Sequence, residues 1–150
     1  MIQPDESRCG DCTVCCEIMG YTGEYRWADR YNEAEKYGVD YGPWTTCNKL
    51  CETGCSIHHD KPKICEKFFC SYIQHDLEEK YRPNDFGFVA HIQPADGNLG
   101  ILCTDKTLPP EILYGNNKHE VDQLIEEIEI GEGKRLTVWL YAKQGALRLR

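Results

Sequence analysis

The sequence has little of what would tie it to a membrane, a secretory route or a nucleic acid. No apolar run approaches the roughly 18 residues that a membrane-spanning helix requires. The opening Met1-Ile-Gln-Pro-Asp-Glu-Ser-Arg8 has neither the basic segment nor the apolar core of a secretory signal. Basic side chains are outnumbered, 17 Lys and Arg against 25 Asp and Glu, for a net charge of −8. That balance argues against sequence-independent binding to phosphate backbones, which draws on clustered Lys and Arg. The one basic cluster, Leu147-Arg-Leu-Arg150, is too short to count. There is no low-complexity tract, P-loop, dinucleotide fingerprint or Ser/His/Asp arrangement. Together these absences lead us to expect a soluble, cytoplasmic protein with no membrane or nucleic-acid partner and no catalytic constellation of its own.

With 150 residues and 41% hydrophobic content, the chain suits one domain, and a chain of this size buries about 68–70% of its unfolded surface. It needs no covalent staples merely to fold. Yet it has ten cysteines, nine of them between Cys9 and Cys70. They open as Cys9-Gly-Asp-Cys12-Thr-Val-Cys15-Cys16 and resume at Cys47, Cys51, Cys55, Cys65 and Cys70. Cytosolic thiols are kept reduced, so a pattern of this kind points to metal or catalysis, with a disulfide framework as the alternative.

In chain order, residues 1–8 are a polar arm. A turn and short helix over 9–19 would place Cys12, Cys15 and Cys16 on neighbouring positions. The adjacent Cys15 and Cys16 diverge by about 100° on a helix and so suit two different metals or the two sides of one cluster. Residues 27–37 show helical spacing at Trp27, Tyr31, Ala34 and Tyr37, a core-packing pattern closed by Gly38. Cys47, Cys51 and Cys55, with Gly54 before the last, form a tight knuckle. Asp60 as N-cap with Pro62 behind it predicts a helix over 62–76. On that helix Cys65 and Cys70 stand about 140° apart and so also face different partners.

From residue 81 the character changes. Residues 86–92 and 99–103 predict a hairpin through the turn signal Pro94-Ala-Asp-Gly97, and Pro109-Pro110 breaks the chain. Residues 119–130 predict an amphipathic helix with Val121, Leu124, Ile125 and Ile128 on its apolar face, Asp and Glu on the solvated one, and Gly131 and Gly133 at its end. Two last strands follow over 136–142 and 146–149. The expected fold is α+β in a single domain over 1–150: a cysteine-rich, metal-organised half over 1–80, packed on a small antiparallel sheet with one or two helices over 81–150.

Zinc in structural sites takes four N or S ligands, and Cys-x2-Cys presents two thiolates at once. A Cys-x2-Cys-x2-Cys run is equally typical of four-iron clusters, so spacing alone leaves zinc and iron–sulfur both open. The pattern of Cys9-x2-Cys12-x2-Cys15-Cys16, then Cys47, Gly54-Cys55-Ser56-Ile57-His58, Lys61-Pro62, Cys65 and Phe69-Cys70 resembles the YkgJ-type CxxCxxCC cysteine-cluster family, described as zinc- or iron-chelating. His58 stands where that pattern has Tyr, and Lys61 and Glu66 where it has Arg, while each pattern cysteine is in place. The resemblance is strong up to Cys70 and weak beyond.

The resemblance implies eight ligands: Cys9, Cys12, Cys15, Cys16, Cys47, Cys55, Cys65 and Cys70. Eight thiolates make two four-cysteine sites, and with two zinc ions these carry about −4, which calls for local compensation. Arg8, Lys49, Lys61, Lys63 and Lys67 lie among the ligands in sequence. Cys51 is extra to the pattern, as a ninth ligand, a bridging thiolate or a free thiol. Cys103, on a predicted strand, is a small buried hydrophobe. His58, His59 and His75 are further donor candidates, whereas His91 and His119 lie outside the array.

The expected function is a metal-binding protein with two zinc ions in closed structural sites, metal ions being its partners. An iron–sulfur cluster with a redox or modification role is the alternative. The CxxCxxCC motif is also similar to that of the much longer flagellin lysine methylases, which implies such a cluster. A metal carrier, with Cys51 as a labile ligand, is a third reading.

Overall fold

The computed structural model describes Trp44, the paired segments at 50–51 and 54–55, and residues 70–93 and 96–150. The chain divides into two compact units, Met1–Cys12 with Phe69–Arg150, and Thr13–Phe68. In the second unit the described backbone is a two-stranded antiparallel sheet of β1 (Leu50–Cys51) and β2 (Gly54–Cys55), where Leu50 stands opposite Cys55 and Cys51 opposite Gly54. It falls within the expected knuckle. The expected helices over 9–19 and 27–37 lie outside the described residues.

The first unit is built on a four-stranded sheet in the order β3-β4-β5-β6. β3 (Phe88–Ile92) and β4 (Leu99–Cys103) form the expected antiparallel hairpin, with Ala90 opposite Ile101. Its turn is held by Gln93 N–H donating to Asn98 O and Gly97 N–H donating to Gln93 O, with Gly97 at φ +73°. β5 (Val138–Ala142) and β6 (Gly145–Arg148) form the second expected hairpin, with Leu140 opposite Leu147.

Two features of the expected fold are corrected. The sheet is mixed, because β5 runs parallel to β4 with Ile101 opposite Leu140. Two helices between these strands, α3 (Pro110–Asn116) and α4 (Lys118–Glu132), return the chain to the starting end of the sheet, which makes the next strand parallel. Among the described residues of 81–150 the α-helices number three rather than one or two, α2 (Pro83–Phe86) standing ahead of the sheet besides α3 and α4. α1 (Ser71–Gln74) falls within the helix expected over 62–76, and a 3₁₀ turn at Glu79–Tyr81 lies between α1 and α2. Pro109-Pro110 starts a helix instead of only breaking the chain: Pro109 is extended at the N-cap and Pro110 takes the first helical position, where a missing N–H costs nothing.

The predicted helix over 62–76 is also corrected in its described part. Cys70 is extended (φ −68°, ψ 162°) and the helix begins only at Ser71. The angular separation of Cys65 from Cys70 on one helix therefore falls away. α1 is closed within four residues by Asp76 at φ +51°, a left-handed conformation that a short polar side chain tolerates.

α4 follows its sequence pattern closely. Val121, Leu124, Ile125 and Ile128 are buried, as expected, and burying side chains of this size contributes about 1.5–3 kcal/mol each. Gly131 lies inside the helix rather than at its end. Gly133 is the cap, at φ +72°, with its N–H on Glu129 O and Ile130 O. The core gathers these four side chains, Tyr72, Ile73, Leu77 and Tyr81 from the segment before the sheet, and Phe88, Ala90, Leu99, Ile101, Val138 and Leu140 from one sheet face. On the opposite face Val89, His91 and Leu102 are buried as well. β3 and β4 therefore read as nearly continuous buried runs, while β5 alternates between buried and half-buried positions.

Candidate metal centre

Six of the eight expected ligands, Cys9, Cys12, Cys15, Cys16, Cys47 and Cys65, lie outside the described residues, as do His58 and His59. Cys55 sits on β2 opposite Leu50, and the extra Cys51 sits on β1 opposite Gly54, so the two thiol residues are neighbours on paired strands without being cross-strand partners. Cys70 is half-buried at the N-cap of α1 and packs against the core. Its carbonyl accepts from Ile73 N–H at 3.0 Å and Gln74 N–H at 2.9 Å, which starts the helix. Among the described residues no three Cys, His, Asp or Glu side chains converge as a metal-holding group.

Cys103 behaves as its place on β4 suggested. It is 3% exposed within the core cluster, and burial pushes its thiol pKa up. A thiol held protonated inside the sheet packs as a small hydrophobe and does not supply a thiolate.

The three described histidines with defined surroundings differ. His91, on β3, is 4% exposed, and burial pushes its pKa down to about 4, so the ring is neutral. It stands against Gly100 on the neighbouring strand, where a Cβ would come within 3.3 Å of His91 Nε2 and 3.1 Å of Gln93 Nε2. The Gln93 amide in turn donates to Tyr141 OH at 3.3 Å. His119, on α4, is exposed.

His75 is the histidine with donor geometry. It caps the C-terminus of α1, five residues after Cys70, and its side chain is only 7% exposed. Its Nε2 lies 2.8 Å from Glu132 Oε1 at the end of α4. The ring edge rests on Gly131, where a Cβ would come within 3.1 Å of His75 Cδ2, so the glycine is what lets the ring approach the helix. Its Nδ1 is buried without a hydrogen-bond partner, and so is the Oγ of Ser71. Glu132 lies beyond the helix expected over 119–130, which in the structure runs on to Glu132 itself. Its partner is 57 residues away in sequence, a distance no local pattern spans.

Zinc is the metal expected from the sequence. Cysteine thiolate and imidazole nitrogen are its usual protein ligands, and a ligating histidine commonly donates its second N–H to a carboxylate. No protein-family model, curated protein or solved structure matches the chain. No helix among the described residues is long and apolar enough to cross a membrane.

Proposed function

We propose that this chain is a metal-binding protein in which Cys9, Cys12, Cys15, Cys16, Cys47, Cys55, Cys65 and Cys70 supply thiolates to two zinc ions in closed structural sites. The observation that carries the reading is the cysteine spacing itself, a Cys-x2-Cys-x2-Cys-Cys run followed by five further cysteines before residue 71, of which Cys51 is extra to the pattern. The resemblance to the YkgJ-type CxxCxxCC family supports it. So does the placement of Cys103 in the core, which accounts for the one cysteine beyond the array without giving it a ligand role. Closed four-ligand sites leave no open position for water or substrate, so metal binding contributes folding energy and the sites are structural rather than catalytic. The acidic balance, a net charge of −8, favours binding of metal ions over binding of nucleic acid.

A second reading is favoured by the Cys-x2-Cys-x2-Cys run alone: an iron–sulfur cluster with a redox or modification role. A carrier function, with Cys51 as a labile donor, is a third reading. Purification without oxygen, followed by metal analysis and visible absorption, separates them. About two zinc ions per colourless chain supports the structural reading. Iron with acid-labile sulfide and a brown colour supports the cluster instead. Loss of part of the zinc to a mild chelator without unfolding supports the carrier.

A further inference from the structure

His75 presents a buried nitrogen whose lone pair has no partner. A carboxylate only accepts hydrogen bonds, so the 2.8 Å contact with Glu132 Oε1 puts the ring proton on Nε2. In the neutral ring Nδ1 is then an acceptor, and it is buried with nothing donating to it. Leaving such a group unsatisfied costs about 1–3 kcal/mol. The ring is not free to turn away, because Glu132 holds one edge and Gly131 supports the adjacent one.

Ser71 makes the arrangement more specific. It lies one helical turn before His75 on α1, with His75 N–H donating to Ser71 O at 2.9 Å, so the two side chains are i,i+4 neighbours. Ser71 is 1% exposed and its hydroxyl also has no partner. Two buried polar atoms, four residues apart in the chain, are thus both without a partner, one an acceptor only and the other able to donate. A metal ion bound by thiolates satisfies both: the ion takes the Nδ1 lone pair, and a metal-bound sulfur accepts the Ser71 O–H.

We propose that His75 is a metal ligand, giving its Nδ1 lone pair to one of the two zinc ions in place of one thiolate, with Glu132 positioning the ring. This rests on the thiolate-zinc reading above and changes the donor set of one site to three cysteines and one histidine. Exchanging a thiolate for a neutral imidazole removes one negative charge from that site, a favourable change in a chain of net charge −8. Glu132 is a positioning residue, since it touches the ring and not the ion.

The test uses the full chain, purified without oxygen and loaded with zinc, as wild type, His75→Gln, His75→Cys and Glu132→Gln. Zinc content is measured at equilibrium with a competing chelator, and the cobalt-substituted forms are compared by absorption. Wild type is expected to hold two zinc ions. Glu132→Gln is expected to hold one of them 10–100-fold more weakly with its near-ultraviolet circular dichroism retained, and His75→Gln more weakly still. His75→Cys is expected to restore the second ion and to add sulfur-to-cobalt charge-transfer intensity. If His75→Gln destabilises the fold, Glu132→Gln and His75→Cys still decide the matter. Wild-type zinc affinity and an unchanged cobalt spectrum across these variants would overturn the proposal while leaving two thiolate sites standing, and would assign a bridging water to Ser71 and His75. A wild type that binds no metal would overturn both.

Discussion

Acidification is expected to weaken the fold through His91. The ring is 4% exposed on β3, and its pKa is pushed from the ordinary 6.5 to about 4 because burial penalises the charged form. In the unfolded chain the same ring takes up a proton as the pH falls through 6.5; in the folded chain it does so only near 4. Between those values the unfolded state binds more protons, so stability falls with falling pH. The gap corresponds to about 3 kcal/mol over the whole window, of which about 2 kcal/mol is already lost at pH 5. Thiolate protonation also destabilises a metal-holding fold in acid, so the measurement must be differential. Urea unfolding of metal-loaded wild type and His91→Gln at pH 7.5 and pH 5 provides it, since the thiolate contribution is common to both chains. The wild type is expected to lose about 2 kcal/mol more than the variant between the two pH values. Equal losses would refute the assignment of a neutral, buried His91.

Other substitutions test the packing around the sheet. Gly100→Ala would bring a methyl group within 3.1 Å of Gln93 Nε2 and 3.3 Å of His91 Nε2; a loss of about 1–3 kcal/mol in chemical unfolding is expected. Ile125→Ala removes a fully buried side chain from α4 and is expected to cost about 2–5 kcal/mol with unchanged zinc content. Glu129 accepts from Leu136 N–H at 2.7 Å and pairs with Arg150, so Glu129→Ala should release the link between α4 and β5 at a cost of about 1–3 kcal/mol, read as faster amide exchange at Leu136. Cys103→Ala should lower stability through lost packing but leave the metal content at the wild-type value, because its thiol is a core group.

The parts of the fold that were legible in the sequence are those with a local period. Val121, Leu124, Ile125 and Ile128 recur at helical spacing and are the four side chains that α4 buries. The two hairpins followed from apolar runs on either side of glycine-containing turns, although β3 starts only at Phe88 because Gly87, at φ +87°, ends α2 first. What was missed depends on contacts distant in sequence or on very short elements. The parallel pairing of β4 and β5 is set by where two helices return the chain, not by anything within either strand. α3 was hidden behind Pro109-Pro110, whose rigid backbone suits a helix start as well as a break. The helix expected through Cys70 begins after it, since an extended N-cap leaves no local apolar signature. In the candidate site, residue type and spacing offered the cysteines and His75 as candidate ligands, six of the eight cysteines lying outside the described residues. Type and spacing could not identify Glu132 or Gly131, which meet the His75 ring from the end of another helix.

The most direct measurement on the central claim is X-ray absorption at the zinc edge of the full chain purified without oxygen. The expected result is about two zinc ions per chain in a four-coordinate shell dominated by sulfur at about 2.3 Å, with a single light atom at about 2.0–2.1 Å in one site if His75 ligates. A shell of oxygen and nitrogen alone, or a chain that binds no zinc, would contradict it.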